Sequence, residues 1–211
     1  MRIAVFGSGM VGGALGRRFG AQGHQVTYGV RNPSADKVKA VVATTLGEAR
    51  ATSVAEAART AEIVVLATPW AETENAIRGA GDLTGKIVID CTNPNKPTTP
   101  HLLLGHTTSG AEQVAAWATG ANVYKAFNCC SFYTMADPAY AEGKPAMFVA
   151  GADGSNKTTV MTLVADLGFA AADAGDLTAS RFLEPMAMLW VNLAIRKGHG
   201  AHVAFALINR P

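Results

Sequence analysis

The chain has 211 residues, and its content of 49% hydrophobic and 16% charged residues is typical of a folded globular protein rather than a disordered one. Lysine and arginine total 18 and aspartate and glutamate total 16, so the net charge of +2 predicts neither a nucleic-acid partner nor an anionic membrane partner. The sequence contains no apolar run of roughly 18 residues, the length that spans a bilayer, and its apolar start ends at Gly7, too soon for a signal peptide.

Strands and helices alternate along the chain. The apolar residues 2–6 predict a buried strand, and helical spacing follows from Val11 until Gly20 stops the helix. Ser34 and Ser53 can each cap a further helix. The other predicted segments are strands at 25–30, 62–68, 86–90, 122–127, 146–150 and 169–172, helices at 34–42, 53–59, 71–78, 109–119, 155–167 and 180–197, a loop at 94–108 and an extended tail at 201–208.

The strand at 62–68 is continuously apolar, which is typical of a parallel sheet covered on both faces. Short connections between alternating strands and helices favour right-handed crossovers within one sheet. We therefore predict an α/β fold with a doubly wound, mostly parallel Rossmann sheet. We expect one domain over 1–211, with the core sheet in about 1–175, a long C-terminal helix and tail in 176–211 packed on it, and no separate large substrate domain.

A glycine-rich turn with the pattern G-x-G-x-x-G lies between the first strand and the first helix. Gly7 permits a tight turn, Gly9 has no Cβ to collide with a pyrophosphate, and Gly12 lets the helix approach the strand. The backbone N–H groups at the start of the helix can bind a phosphate, aided by the helix dipole. The predicted phosphate-binding residues are Gly7, Ser8, Gly9, Met10, Val11 and Gly12.

The end of the second strand predicts the type of dinucleotide. NAD-specific folds usually carry an acidic residue there, which accepts a hydrogen bond from the ribose 2′-hydroxyl. This chain instead has Arg31 and Asn32, and no acid precedes Asp36. A guanidinium can pair with two phosphate oxygens, and Lys37 adds a second positive charge. We therefore predict a preference for NADP(H) as the cofactor.

The remaining cofactor-binding residues are predicted from the topology of the sheet. Ligands of such sheets bind in a crevice outside the carboxyl ends of the strands. For the two aromatic residues at these strand ends, Trp70 and Phe127, the alternative is that their rings pack in the core. The strand ends predict that Thr68, Pro69, Trp70, Asn93, Phe127 and Asn128 line this crevice.

Five segments together resemble the coenzyme F420-dependent NADP oxidoreductase family: residues 3–12, 29–33, 67–70, 123–128 and 180–185. The resemblance covers essentially the whole chain, although Val30 stands where a serine is usual and Cys129-Cys130 is unusual. It implies an NADP(H)-dependent oxidoreductase whose co-substrate is F420 or a flavin. It also implies that Thr68 and Pro69 pack on the nicotinamide ribose, and that Asn93 and Asn128 bind the carboxamide or the acceptor.

The sequence offers no clear acid–base residue, so the catalytic residues stay unassigned. His101 and His106 are the only histidines near the predicted crevice, and no His/Cys/Asp cluster has the spacing of metal ligands. Hydride transfer between two flat rings depends mainly on proximity and orientation, and it needs no such residue. A small substrate or cofactor is therefore the expected partner.

Two alternatives to this reaction stay open. An NADPH-dependent imine or carbonyl reductase would need Tyr133, His101 or Asp173 as its proton donor. A non-catalytic NADP(H)-binding sensor would need none.

Two further expectations concern assembly and compartment. The apolar helix at 180–197 carries more apolar residues than one buried face needs, which predicts a homodimer through this region. Three cysteines without a framework spacing predict reduced thiols and a cytoplasmic location. We expect Cys129 and Cys130 to be small core residues, with a vicinal redox pair as the alternative.

Overall fold

A computed structural model describes residues 1–95, 101–208 and 210 of the chain. Its central feature is an eight-stranded sheet in the order β3-β2-β1-β4-β5-β6-β7-β8. The strands are β1 (Arg2–Phe6), β2 (Gln25–Gly29), β3 (Ala49–Thr52), β4 (Ile63–Leu66), β5 (Ile87–Asp90), β6 (Asn122–Lys125), β7 (Ala146–Gly151) and β8 (Ala170–Gly175). The helices are α1 (Met10–Ala21), α2 (Asp36–Ala43), α3 (Val54–Thr60), α4 (Trp70–Ala80), α5 (Gly110–Trp117), α6 (Phe132–Ala136), α7 (Ser155–Asp166) and α8 (Ser180–Val191).

The sheet is parallel from β3 to β6 and changes direction only between β6 and β7, which are antiparallel. Strand β8 then runs parallel to β7. The chain moves outward in one direction from β1 to β3 and in the other from β4 onward, so the order reverses between β1 and β4. This arrangement confirms the predicted doubly wound, mostly parallel Rossmann sheet, and it places the topological switch point at the end of β1.

Helices cover both faces of the sheet. Leu15 and Phe19 of α1 pack on one face together with Leu163 of α7, and Ile77 of α4 packs on the other face together with Val114 of α5. All four residues of β4, in the middle of the sheet, are buried, as its continuous apolar run requires. The helices cover the faces of the sheet but not its carboxyl edge. At that edge, the ends of β1, β2 and β4 lie beside the switch point, where loops and helix starts can surround a ligand.

Several local predictions were wrong. Ser34 does not cap α2, because Ala35 holds the N-cap position and the backbone N–H of Ser34 instead bonds the Asn32 side chain at 3.1 Å. The structure also contains a short strand, β3, and a short helix, α6, that the sequence patterns do not predict. The prediction that Ser53 caps α3 is confirmed. The predicted helix at 180–197 is α8 followed by a π-helical turn at Asn192–Arg196.

The C-terminal tail has no regular secondary structure: residues 201–202 form a turn, and residues 203–208 belong to no helix or strand. The carbonyl of Phe205 accepts a hydrogen bond from the Ala146 N–H, and the carbonyl of Val203 accepts one from the Trp190 indole N–H at 2.7 Å. These bonds hold the tail against β7 and the end of α8. Part of the predicted loop at 94–108, residues 96–100, lies outside the described residues. Among the residues that are described, no helix is long and apolar enough to cross a membrane.

Candidate functional site

A cavity of about 620 Å³ lies at the carboxyl ends of β1, β2 and β4, beside the switch point of the sheet. Its walls come from the glycine loop, the turn after β2, the start of α2 and the first two turns of α4. Of the predicted site residues, eight line this cavity: Gly7, Ser8, Gly9, Arg31, Asn32, Lys37, Thr68 and Pro69. Met10, Val11, Gly12, Trp70, Asn93, Phe127 and Asn128 do not line it.

The glycine loop has three glycines with three different surroundings. Gly7 has φ +100°, and a Cβ there would lie 2.8 Å from the Ala67 carbonyl oxygen, so both its conformation and its neighbour require glycine. A Cβ on Gly12 would lie 2.0 Å from the Gly7 carbonyl oxygen, which records the close approach of α1 to the loop. A Cβ on Gly9 would meet no protein atom within 4 Å. Packing therefore does not require glycine at Gly9, whereas a ligand that approaches the loop closely would.

Met10 and Val11 form the first turn of α1, directly after the N-cap residue Gly9. Their backbone N–H groups, like those of any first helical turn, have no acceptor within the helix. Met10 is 68% exposed, so the start of α1 lies at the surface. The loop and helix start therefore fit the phosphates of a dinucleotide, which would approach over Gly9.

Three ionisable side chains line the cavity among the described residues, two cations and one carboxylate. Arg31 follows β2, and its side chain is 89% exposed, so its guanidinium is available to a ligand. Lys37 belongs to the first turn of α2. The Asn32 side chain is used to hold the turn, since it accepts the bond from the Ser34 N–H. The carboxylate is Glu72 of α4, whose Oε2 lies 3.6 Å from Arg31 Nη1.

The two aromatic residues predicted to line the crevice pack elsewhere. Trp70 stacks on Trp117 with ring centroids 5.3 Å apart, on the helical layer over the sheet. Phe127 is fully buried and packs edge-on against Phe169 at 6.0 Å, with a backbone φ of +61° that turns its ring into the core. For Phe127 the alternative of core packing therefore holds, and Trp70 contacts another tryptophan instead of the cavity.

Asn93 and Asn128 lie together at the ends of β5 and β6, although outside the cavity. The Asn128 Nδ2 donates to Asn93 Oδ1 at 3.0 Å and to the Leu183 carbonyl at 2.9 Å, while Asn93 Nδ2 donates to the Asn128 carbonyl at 3.0 Å. This pair therefore ties the two strand ends to α8. Asn93 is only partly buried, so its amide has capacity left for a ligand.

A fully buried ionic cluster of three side chains lies behind this amide pair. Lys125 Nζ donates to Asp90 Oδ2 at 2.6 Å, to Glu184 Oε1 at 2.8 Å and to the Thr92 carbonyl at 2.7 Å. Burial alone lowers the pKa of Lys125, but the two adjacent carboxylates outweigh it and raise the pKa above its ordinary value.

Each carboxylate of the cluster also accepts backbone N–H groups. Glu184 accepts from Gly110 and Ala111, the first two residues of α5, and Asp90 accepts from Thr92. The cluster therefore joins β5, β6, α5 and α8. Sequence patterns gave no signal for it, because Glu184 lies on a different element far along the chain.

None of the three proton donors named for the alternative imine or carbonyl reductase lines the cavity. Asp173 lies on the edge strand β8, away from the cavity, and the ammonium of Lys157 at 2.5 Å lowers the pKa of its carboxyl. Tyr133 and His101 do not line the cavity, and the Tyr133 ring packs on His202 with centroids 5.0 Å apart.

The three thiols are free and unsuited to nucleophilic chemistry. Cys91 and Cys129 are buried and Cys130 is partly buried. Burial raises the pKa of all three, that of Cys129 to about 12, so the unreactive thiol form prevails at neutral pH. This agrees with the expectation of small core residues rather than a reactive pair.

The comparisons with known proteins agree with a Rossmann fold of an NADP-dependent oxidoreductase. Residues 2–94 match the family model described as NADP oxidoreductase, coenzyme F420-dependent. The chain is 32% identical to a proposed F420-dependent NADP-reductase from Arthrobacter sp. FB24, with a TM-score of 0.90 over 99% of this chain and 100% of that one. It is 27% identical to a hypothetical protein from Sinorhizobium meliloti, with a TM-score of 0.76 over 99% and 95% of the two chains.

A curated relative is longer than this chain. The metalloreductase STEAP3 of Rattus norvegicus is 28% identical over 184 residues, which are 87% of this chain but 36% of that protein. The chain thus spans about a third of the length of this relative. The full-length match to the Arthrobacter protein identifies the family, and the family model agrees with it over residues 2–94, which include all the described residues that line the cavity. The chain belongs to the coenzyme F420-dependent NADP oxidoreductase family, a family of NADP-dependent oxidoreductases.

Proposed function

We propose that this protein binds NADP(H) in the cavity beside the glycine loop and transfers a hydride between the nicotinamide and F420 or a flavin-like acceptor. The observation that carries the cofactor assignment is that an open glycine loop and two cationic side chains line one cavity. A Cβ on Gly9 would meet no protein atom within 4 Å, and Arg31 and Lys37 line the same cavity as the loop.

Thirteen of the fifteen predicted residues have a place in this proposal, and only Trp70 and Phe127, which pack elsewhere, have none. Gly7, Ser8 and Gly9 would hold the pyrophosphate together with the N–H groups of Met10 and Val11, while Gly12 keeps α1 close to the loop. Arg31 and Lys37 would bind the 2′-phosphate, and Asn32 would shape their turn. Thr68 and Pro69 would contact the nicotinamide ribose. Asn93 and Asn128 would lie near the carboxamide.

For this reaction the chain mainly has to orient the nicotinamide against the acceptor and exclude water. Bound NADPH supplies the hydride. The residues of the chain would hold its ribose and phosphates so that the ring stays fixed against the acceptor, which is the main requirement of such a transfer. No histidine lines the cavity among the described residues. Its two cations are assigned to the 2′-phosphate and its one carboxylate pairs with Arg31, which leaves no group free as a proton donor and favours a flat redox acceptor over a ketone or imine.

The acceptor is tested by following NADPH oxidation with a panel of F420, FMN and a set of ketones and imines. We expect turnover with F420 or FMN and none with ketones or imines. Turnover with ketones or imines alone would show that the protein is an imine or carbonyl reductase. Tight NADPH binding without turnover of any acceptor would identify a sensor instead.

Replacing Arg31 tests the cofactor preference. We expect Arg31→Glu to raise the Kd for NADPH by one to two orders of magnitude while changing the Kd for NADH by less than about threefold, because a charge-assisted phosphate contact is replaced by repulsion. Fluorescence titration of both cofactors measures the change. Arg17→Glu, on α1 outside the cavity, is the matched control. An unchanged Kd for NADPH in Arg31→Glu would contradict the assignment.

We further propose a homodimer that forms through the exposed side of α8 and the turn that follows it. Phe182 is 77% exposed, Leu189 49% and Ile195 71%, and a second copy would cover these apolar side chains. Size-exclusion chromatography with light scattering should give a dimer at micromolar concentration for the parent protein and a monomer for Phe182→Glu. A monomeric parent protein would contradict this proposal. The three free thiols favour a cytoplasmic location.

A further inference from the structure

A single carboxylate, that of Glu72, lies on the wall of the cavity that carries the two cations. Glu72 belongs to the first turn of α4, and its backbone N–H donates to the Pro69 carbonyl at 2.9 Å, so the position of the residue is fixed by the turn after β4. Its Oε2 lies 3.6 Å from Arg31 Nη1. Strand-end spacing gives no signal for Glu72, because this residue is on a helix.

The charges on this wall partly cancel. Of the described residues that line the cavity, Arg31 and Lys37 are cationic and Glu72 is anionic, which leaves a formal charge of +1. Any phosphate oxygen that binds Arg31 at Nη1 also comes close to the Glu72 carboxylate, because the two protein atoms are only 3.6 Å apart. A phosphate there would lose part of its attraction to Arg31 through repulsion from Glu72.

We propose that Glu72 is a specificity-determining residue that limits the preference for NADP(H) over NAD(H). It does so by pairing with Arg31 when no cofactor is bound and by repelling the 2′-phosphate when one is. The inference rests on the proposed function, since it takes the Arg31 side of the cavity as the 2′-phosphate subsite. In this proposal the 2′-phosphate subsite contains a negative charge, that of the Glu72 carboxylate, which repels the phosphate that Arg31 attracts.

The size of the effect follows from exposure. The Arg31 and Glu72 side chains are 89% and 44% exposed, so solvent and salt screen their interaction. Removing the carboxylate should therefore tighten NADPH binding by about three- to fivefold rather than by orders of magnitude. NADH lacks the phosphate, so its affinity should stay within about twofold. The gain should shrink as the salt concentration rises.

The test compares Glu72→Gln with Glu74→Gln in the full chain. Glu74 is on the same helix with similar exposure, 42%, and pairs with Arg78 outside the cavity. The Kd values for NADPH, NADH and 2′-AMP are measured by fluorescence titration or calorimetry at low and at high salt. We expect tighter binding of NADPH and 2′-AMP in Glu72→Gln alone.

Three outcomes would overturn the inference. Weaker NADPH binding would mean that Glu72 orients Arg31 for the phosphate. Equal changes for NADPH and NADH would mean that Glu72 contacts a part of the cofactor common to both. No change in either would mean that the carboxylate plays no part in binding. The parent protein separates these from a failure of the proposed function, because a parent that binds NADPH no better than NADH would contradict the NADP(H) assignment itself.

Discussion

Lys125→Met should destabilise the fold more than any other lysine substitution in the described chain, by about 3–5 kcal/mol. The methionine would fit the space of the lysine stem but could not donate to Asp90, Glu184 or the Thr92 carbonyl. Two carboxylates would then be buried together without a cation, at side-chain exposures of 0% and 1%. The cost arises from this uncompensated charge and not from the loss of a favourable ion pair as such.

Lys157→Met is the matched control. Lys157 also bonds two carboxylates, those of Asp153 at 2.9 Å and Asp173 at 2.5 Å, but these are 90% and 53% exposed and stay hydrated when the lysine is lost. We expect a loss of about 1 kcal/mol from this control. Urea unfolding of both variants measures the free energies of unfolding. A loss in Lys125→Met as small as that in Lys157→Met would show that the cluster is solvated or dispensable.

The same cluster has a defined pH dependence. The pKa of Lys125 is raised in the folded protein above the ordinary value of 10.5, because its two carboxylate neighbours outweigh the effect of burial. Its contribution to stability is therefore complete below pH 10.5 and is lost as the pH rises through the raised pKa. At neutral pH the cluster keeps its full effect, so the substitutions above can be compared there without correction.

The fold was largely predictable because its strongest signals are local. The apolar runs in β1, β4 and β5 are buried on both faces, and a parallel sheet is the arrangement that such runs favour. Strand β3, with the sequence Ala-Arg-Ala-Thr, carries no such signal. It exists because its backbone pairs with β2, a tertiary effect that local propensity does not contain.

The candidate site was predictable in its backbone and less so in its side chains. The glycine loop and the turn at Arg31 follow from spacing, since both are set by the βα unit. A strand end, in contrast, fixes where a residue lies but not where its side chain points. Phe127 therefore turned out to face the core, through a backbone φ of +61°. Glu72 and Glu184 reach their partners from helices, and one sequence contains no signal for such contacts.

Gly9→Ala and Gly12→Ala should separate cofactor binding from folding within one loop. A Cβ on Gly9 would meet no protein atom within 4 Å, and its φ of −74° suits alanine. We expect the free energy of unfolding of Gly9→Ala to change by at most about 0.5 kcal/mol. Its affinity for NADPH should nevertheless fall at least about tenfold, because the new methyl group occupies the space through which a pyrophosphate reaches the loop.

Gly12→Ala should instead lose stability and binding together. Its Cβ would lie 2.0 Å from the Gly7 carbonyl oxygen and 3.2 Å from Val5 Cγ1, so α1 must move away from β1. Such overpacking costs about 1–3 kcal/mol, and the displaced helix start takes its N–H groups away from the phosphates. Urea unfolding and NADPH titration on both variants measure the two effects. Unchanged NADPH affinity in Gly9→Ala would mean that the cofactor does not pass over this loop, whereas parent-like stability in Gly12→Ala would mean that α1 tolerates the shift.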